Sequence, residues 1–585
     1  MRHLLGAEAI HLEYPTRVVF ESVSLGVGDG DRIGIVGRNG DGKSSLLGLL
    51  TGEISPDSGR VTRRGGVRVG VLSQADTLEC DRAVGATLVG DRPEHEWAGD
   101  ARIRAVVDGL VADIAWDVPI SALSGGQRRR VQLAALLIGE WDVIALDEPT
   151  NHLDVAGITW LARHLRQRWA PTAGGLLVVT HDRWFLDEVV TTTWEVHDAT
   201  VEPFDGGYAA YVLQRVERDR RAAAAEAKRQ NLLRKELAWL RRGPPARTSK
   251  PKFRIEAANQ LIGDVPPLRN SVELAKLATA RLGRDVIELV DVSVSFDGNP
   301  VLREVHWRIG PGDRAGIVGA NGAGKSTLLG LIAGTIAPDT GKVKRGKTVQ
   351  LAMLDQTGLA PLAGARVAEV VAGLPSGYRV DGRDVTPAQL LERLGFAREQ
   401  FAARVGELSG GQRRRLQLML TLLSEPNVLL LDEPTNDVDI DMLAATEDLL
   451  DSWPGTLIVV SHDRYLLERV TDQQYAILDG RLRHLPGGVD EYLRLSAAPR
   501  SAGMTPVKAK SSRGAVLRSA QKEIAAIDRH LARLAQRIAA KHGEIAEHDQ
   551  SDHVGLTRLT HELRALEGQV TAMEARWLEL AEQIE

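Results

Sequence analysis

The chain has 585 residues, of which 43% are apolar and 26% charged, with a formal net charge of −5. That length exceeds one ordinary core and suits two domains of about 200 residues plus accessory segments, while the composition excludes a disordered or fibrous protein. One cysteine, Cys80, excludes an internal disulfide and a zinc scaffold built on cysteine clusters and fits a reducing compartment. No apolar run approaches the roughly 20 residues that span a bilayer, and MRHLLGAEAIHLEY has no signal-peptide core, so a cytoplasmic location is expected.

In residues 1–210, short β-branched runs such as DRIGIVG, DVIALD and GLLVVTHD alternate with helical stretches such as KSSLLGLLTG. This pattern predicts an α/β domain with a parallel sheet flanked by helices. A glycine-rich loop, GRNGDGKSS, follows the first such strand. Its position before a helix makes it a phosphate cradle, with backbone N–H groups and the helix N-terminus facing an anion. Gly37, Asn39, Gly40 and Gly42 shape it; Lys43 would reach the β- and γ-phosphates, and Ser44 with Ser45 closes it, Ser44 as a Mg²⁺ ligand. The strand VIALD ends at Asp147, which places a carboxylate at the sheet edge to hold the metal. Glu148 follows and can polarise an attacking water as general base.

Residues 211–285 read differently, being rich in helix formers up to a break at PPARTSKPK and helical again after it, the pattern of a helical hairpin. They carry 18 Lys and Arg against 8 Asp and Glu, a net +10 that leaves −15 on the rest of the chain.

Residues 286–499 repeat the first domain in order and spacing. GANGAGKST supplies Gly319, Asn321, Gly322, Gly324, Lys325, Ser326 and Thr327; VLLLD ends at Asp432 and is followed by Glu433. Lys43 to Lys325 is 282 positions, Asp147 to Asp432 is 285 and His181 to His462 is 281, so whole domains are duplicated. Residues 500–514 are a polar linker. In 515–585 apolar residues recur at alternating steps of three and four with a break at HDQSDHVG, which predicts an antiparallel coiled-coil hairpin.

LSGGQ occurs twice, as Leu123–Gln127 and Leu408–Gln412, and resembles the signature of the ATP-binding-cassette superfamily. The resemblance implies two ATP molecules held between domains arranged head to tail. Site one would combine Lys43, Ser44, Gln74, Asp147, Glu148 and His181 with Ser409, Gly410, Gly411 and Gln412. Site two would combine Lys325, Ser326, Gln356, Asp432, Glu433 and His462 with Ser124, Gly125, Gly126 and Gln127. By the same resemblance, Gln74 and Gln356 are the metal- and water-sensing glutamines, His181 and His462 the switch histidines, and Tyr14 and Phe296 the aromatics that stack on adenine. Both sites keep every motif, which predicts hydrolysis at both with ATP and Mg²⁺ as cofactors.

Two cassettes joined by a long basic segment resemble the ABC-F proteins, which act on the ribosome. WLRRGPPARTSKPKFRI is similar to that family's interdomain connector, which implies contact with tRNA. Arg241, Arg242, Arg247, Lys250, Lys252 and Arg254 cluster there and could neutralise RNA phosphates with little base specificity. Gln74 lies 49 residues before the signature, against 52 in the second cassette, leaving no room for the arm of the translational-throttle type. That and the C-terminal hairpin are more similar to the Uup branch, where the hairpin is associated with nucleic-acid binding. Ribosome and tRNA or rRNA are therefore the expected partners. A DNA-associated ATPase acting through 515–585, an antibiotic-resistance ribosome protection factor, and the energy module of a transporter remain open alternatives; no membrane subunit is expected.

Overall fold

A computed structural model describes residues 2–220 and 286–497, except 16, 76–77, 91, 93, 219, 297, 355–361, 375–377, 381–382, 394–395, 397 and 437. Gln356, the tip of the basic connector and the expected coiled coil of 515–585 lie outside the described residues.

Each cassette is built on one six-stranded sheet. In the first, the order across the sheet is Val69–Leu72, Val143–Asp147, Gly175–Val179, Arg32–Gly37, Thr192–His197 and Thr200–Asp205. The first five are parallel and the last pairs antiparallel at the edge. Val143–Asp147 and Gly175–Val179 are buried along their whole length, as strands covered on both faces must be, and hence read as unbroken apolar runs. The second cassette repeats the order with Leu351–Leu354, Val428–Asp432, Thr456–Val460, Arg314–Gly319, Gln473–Leu478 and Arg481–His484.

A second, antiparallel sheet of three strands stands beside each, formed in the first cassette by Arg17–Gly28, His3–Tyr14 and Ser58–Arg63. Leu5, Ile10 and Phe20 from it pack with Ile35 and with Leu46 and Leu49 of the helix Lys43–Thr51 in one buried cluster. The phosphate-loop helix is thereby clamped between two sheets. The other face of the main sheet meets the helix Gly125–Ile138 and its neighbours in a separate core that includes Leu72, Leu133, Leu137 and Leu146.

Between Gln74 and the first LSGGQ the described residues form only short helices, Val84–Val89, Glu94–Trp97 and Ala101–Leu110, and a 3-10 turn, Ile120–Ala122. Two glycines are required where the phosphate loop turns. Gly42 has φ 103°, and a Cβ there would lie 2.4 Å from Val19; Gly37 has φ 148°, and a Cβ would lie 2.4 Å from the carbonyl of Val196.

Candidate functional site

Gly42 and Gly324 each start a helix in the left-handed conformation, which directs the preceding N–H groups inward. Lys43 is buried, and its Nζ donates to Gly37 O at 2.9 Å and Arg38 O at 3.0 Å. Lys325 does the same to Gly319 O at 2.7 Å and Ala320 O at 3.1 Å. Burial lowers the Lys43 ammonium from its ordinary range, against the pull of Glu148, Asp439, Asp41 and Asp147. A lysine so desolvated gains most from an arriving polyanion.

Asp147 ends its strand beside this loop and accepts hydrogen bonds from Ser44 and Gln74; burial raises its carboxyl pKa and those bonds oppose the rise. Asp432 is raised in the same way and accepts from Ser326. In both residues the second oxygen, Oδ1, is buried without a hydrogen-bond partner. A buried carboxylate oxygen left over beside a serine hydroxyl and a glutamine is an oxygen-rich donor set that a hard divalent cation fits.

Glu148 and Glu433 come next, and both have left-handed backbones, at φ 48° and φ 47°. Non-glycine residues adopt that conformation at a cost that the surrounding hydrogen bonds must offset. Glu148 N–H donates to Val179 O at 2.8 Å and Glu433 N–H to Val460 O at 2.9 Å, tying each glutamate to the strand that leads to its histidine. His181 Nε2 is 3.4 Å from Glu148 Oε1, and His462 Nδ1 is 2.8 Å from Glu433 Oε2.

The two cassettes meet around a cavity of about 770 Å³. Asn39, Gly40, Gly42, Lys43, Ser44, Ser45, Gln74, Asp147, Glu148 and His181 line it from the first cassette, and Ser409, Gly410 and Gly411 from the second. Apart from Gln412 this is the residue set expected for site one, brought together by contacts across the chain, and Gly125 and His462, expected for site two, line the same cavity. For site two, Asn321 reaches the first cassette: its Nδ2 donates to His152 O at 2.7 Å and its N–H to Asp154 Oδ2 at 3.4 Å. A Cβ on Gly126 of the first LSGGQ would lie 3.3 Å from His152, so that signature adjoins the second phosphate loop through His152.

Ser124 and Ser409 cap the helices Gly125–Ile138 and Gly410–Leu423. Each serine hydroxyl accepts from the N–H of Gln127 or Gln412, at 3.3 and 3.2 Å, and each glutamine Oε1 accepts in return from the serine N–H at 3.0 Å. The glutamines thus fix the helix ends whose free N–H groups face the site. Tyr14 and Phe296 are exposed at the tips of the first hairpins, paired with Arg17 and Asn299, and neither lines the cavity.

Sequence reasoning missed the residues that hold these parts in register. Arg129 donates to the carbonyls of Ser73 and Asp147, the latter at 2.6 Å, and Gln132 Nε2 donates to Ala75 O at 3.1 Å, bracketing Gln74. Arg414 donates to Asp432 O at 2.6 Å and Glu433 O at 3.0 Å. The RRR run that follows LSGGQ in both repeats is the signal that could have found them.

Comparison with known proteins agrees with this geometry. The family described as "ABC transporter" matches residues 20–151 and 302–436, a second family of that description matches 194–269, and the "ABC transporter C-terminal domain" matches 517–582. The uncharacterized ABC transporter ATP-binding protein YfmR of Bacillus subtilis is 34% identical over 629 aligned positions, covering 100% of this chain and 99% of its own. The chain belongs to the ATP-binding-cassette family. As a member with two complete cassettes it binds nucleotide and is an ATPase. The energy-dependent translational throttle protein EttA of Mycobacterium tuberculosis is 34% identical over 77% of this cassette protein and 87% of its own length. EttA of Escherichia coli K12 is 33% identical over 82% and 93%. Among solved structures, an archaeal ribosome recycling factor, aABCE1, in complex with the ribosomal stalk protein aP1 superposes with a TM-score of 0.59 at 22% identity, covering 83% of this chain and 92% of that one. That likeness shows the tandem-cassette fold.

Proposed function

We propose that this chain is an ABC-F ATPase of the armless, Uup-like type, whose ATP-closed form binds the ribosome and whose hydrolysis of ATP releases it. The observation that carries the reading is the family match over 194–269, which takes in most of the +10 segment 211–285 joining the cassettes, in a chain 34% identical to a translational throttle protein. No described helix is long and apolar enough to cross a membrane, and the energy-module alternative leaves the basic segment without a role. The described residues between Gln74 and Ser124 form short helices, which supports the armless reading. A C-terminal domain family matches 517–582, and the throttle relatives cover 77% and 82% of the chain.

In this reading each ATP lies between one phosphate loop and the LSGGQ helix of the other cassette. Lys43 and Lys325 neutralise phosphate oxygens, and the helix N-termini capped by Ser124 and Ser409 face the γ-phosphate from across the interface. Ser44, Gln74 and Asp147, and Ser326, Gln356 and Asp432, would hold Mg²⁺, which when bound neutralises charge developing on the β- and γ-oxygens. Glu148 and Glu433 orient and deprotonate water while His181 and His462 hold them in position. Closure presents the basic segment, including Arg247, Lys250 and Lys252, to tRNA or rRNA phosphates.

The test is the Glu148→Gln/Glu433→Gln double variant, which should trap ATP, in sedimentation with 70S ribosomes against a branched-DNA control. Retention on ribosomes that needs ATP and is lost when Arg247, Lys250 and Lys252 become Ala supports the reading. Tight DNA binding that depends on 515–585, with no ribosome binding, replaces it by the DNA-associated alternative.

A further inference from the structure

The two nucleotide sites share their motifs but not their surroundings. At site one the phosphate loop carries Arg38, whose Nε donates to Asp441 Oδ2 of the second cassette at 3.2 Å. Asp441 lies in the first turn of the helix Ile440–Ser452, two residues after Asp439, which caps that helix and accepts from Asn39 N–H at 3.3 Å. Both Asp441 oxygens are also held by Arg215, at 2.6 and 3.0 Å. Arg215 stands on the helix over 208–218, which carries the chain out of the first cassette into the start of the basic segment 211–285. Its Nε lies 3.1 Å from Glu195 Oε1, which also accepts from Tyr211 at 2.9 Å. Glu195, buried, sits on the strand beside the one that ends in the phosphate loop, opposite Val36. The contacts therefore close a ring from the phosphate loop, across the interface, to the root of the connector and back to the loop's own sheet.

The register of the repeat shows that this ring is absent from site two. Asn39 and Asp439 have the counterparts Asn321 and Asp154, which make the equivalent contact at 3.4 Å. The four charged positions have none: Arg38 corresponds to Ala320, Asp441 to Ala156, Glu195 to Ala476 by its strand pairing, and Arg215 to Ser496, four residues after Tyr492 as Arg215 is after Tyr211. Loss of all four together is what one functional unit would show, since any one charge left alone would sit half-buried and unpaired.

We propose that Arg38, Asp441, Arg215 and Glu195 form a clasp that makes site one, and not site two, the site whose nucleotide occupancy positions the root of the connector. The Arg38 carbonyl accepts from Lys43 Nζ at 3.0 Å, so a change in the loop when phosphate draws Lys43 away moves the backbone that carries the Arg38 guanidinium. Arg38 is exposed and reports on the loop; Arg215 is held by two carboxylates and passes the shift to the helix. Although burial works against it, the pair of guanidiniums keeps the Asp441 carboxyl below its ordinary range, so the clasp stays ionised throughout the neutral range. These are positioning residues: none of the four is placed to touch the reacting phosphate.

The clasp rests on the assignment of Lys43 and Lys325 to separate sites but not on the ribosomal reading. The test measures binding of a fluorescent ATP analogue to the full chain in two backgrounds, Lys325→Ala to isolate site one and Lys43→Ala to isolate site two. Asp441→Asn should weaken site one by at least about fivefold, the scale of one lost partly buried charge pair, and change site two by less than about twofold. Arg38→Gln, an exposed substitution that leaves the fold intact, should weaken site one likewise, and combining it with Asp441→Asn should add little, because both break one contact. Hydrogen exchange of residues 208–218 should slow when ATP fills site one in the parent and not in Asp441→Asn. Equal weakening of both sites, additive effects of the two variants, or ATP-induced protection that survives Asp441→Asn would overturn the clasp. Loss of all binding in either lysine variant alone would instead overturn the site assignment and the clasp with it.

Discussion

His462 presents Nδ1 to Glu433 Oε2 at 2.8 Å, whereas His181 presents Nε2 to Glu148 Oε1 at 3.4 Å. The same two residue types thus meet through different ring nitrogens in the two cassettes. Burial lowers His181 to about 3, with Lys43 adding to the effect, so it is neutral at pH 7. Burial acts on His462 too, but the Glu433 carboxylate outweighs it and raises His462 to about 9. His462→Gln therefore strips a buried carboxylate of its cation, and His181→Gln does not. In the nucleotide-free protein His462→Gln should lower the melting temperature more than His181→Gln. Both should lower kcat by about 10²-fold or more, with a smaller change in KM, as loss of a group that holds the general base requires. Equal melting temperatures for the two variants would show that the ion pair is not formed.

Much of this site was legible in the sequence, for a physical reason: the phosphate loop, the carboxylate after an apolar strand and the capped LSGGQ helix are local, and each carries its chemistry within ten residues. The parallel sheets were legible because strands such as VIALD and VLLLD are apolar throughout. The three-stranded side sheet was not legible as a sheet, since its third strand, Ser58–Arg63, is mostly exposed and polar. The contacts between cassettes were not legible at all. Arg183 and Glu447 are 264 positions apart, and a single charged residue carries no sign of a partner at that distance. The left-handed backbones of Glu148 and Glu433 were equally hidden, because tertiary hydrogen bonds impose them against local preference.

Asp182 tests how burial shifts a capping group. Its side chain accepts from Phe185 N–H at 2.9 Å at the start of the helix Arg183–Val189. Burial, aided by Asp463, nonetheless raises its pKa from 3.8 to about 6. The folded chain then holds this proton more tightly than the unfolded one, so stability falls as pH rises from 3.8 to 6 and the loss is constant above. Asp182→Asn keeps a good cap without the charge. Thermal melts should show the variant gaining on the parent between pH 4.5 and 6.5, to about 2 kcal/mol, and no further above that. A difference that does not change with pH would mean that Asp182 titrates normally.

Gly42→Ala combines a φ of 103° with a Cβ 2.4 Å from Val19. The strain should cost about 2–4 kcal/mol, and the displaced loop should bind ATP at least about tenfold more weakly at site one, since each 1.4 kcal/mol of misplacement is a factor of ten. Gly65→Ala, where an added Cβ meets nothing within 4 Å, is the matched control and should leave both melting temperature and affinity unchanged. If Gly42→Ala binds ATP as the parent does, the loop does not need its left-handed turn.

Arg183 joins the cassettes more deeply than any other described cation named above, and its substitution separates charge from packing. Its Nη2 donates to Asp463 Oδ2 at 2.9 Å and to Glu447, and its guanidinium lies 5.3 Å from the ring of Tyr465 and 5.9 Å from that of Tyr208. Both Arg183 and Glu447 are buried. Arg183→Met removes one partner and leaves two carboxylates facing an apolar chain, which should cost about 3 kcal/mol. Arg469, at 3.0 Å from the other Glu447 oxygen, reaches solvent and compensates only in part. Arg183→Met/Glu447→Met removes the stranded charge as well and should recover at least half of the loss, so the double variant melts above the single one. The single variant should also raise KM for ATP at both sites, because the lost contact holds the shared interface closed. If the double variant melts below the single one, Glu447 stabilises the interface through Arg469 alone, and the Arg183 pair is not what joins the cassettes.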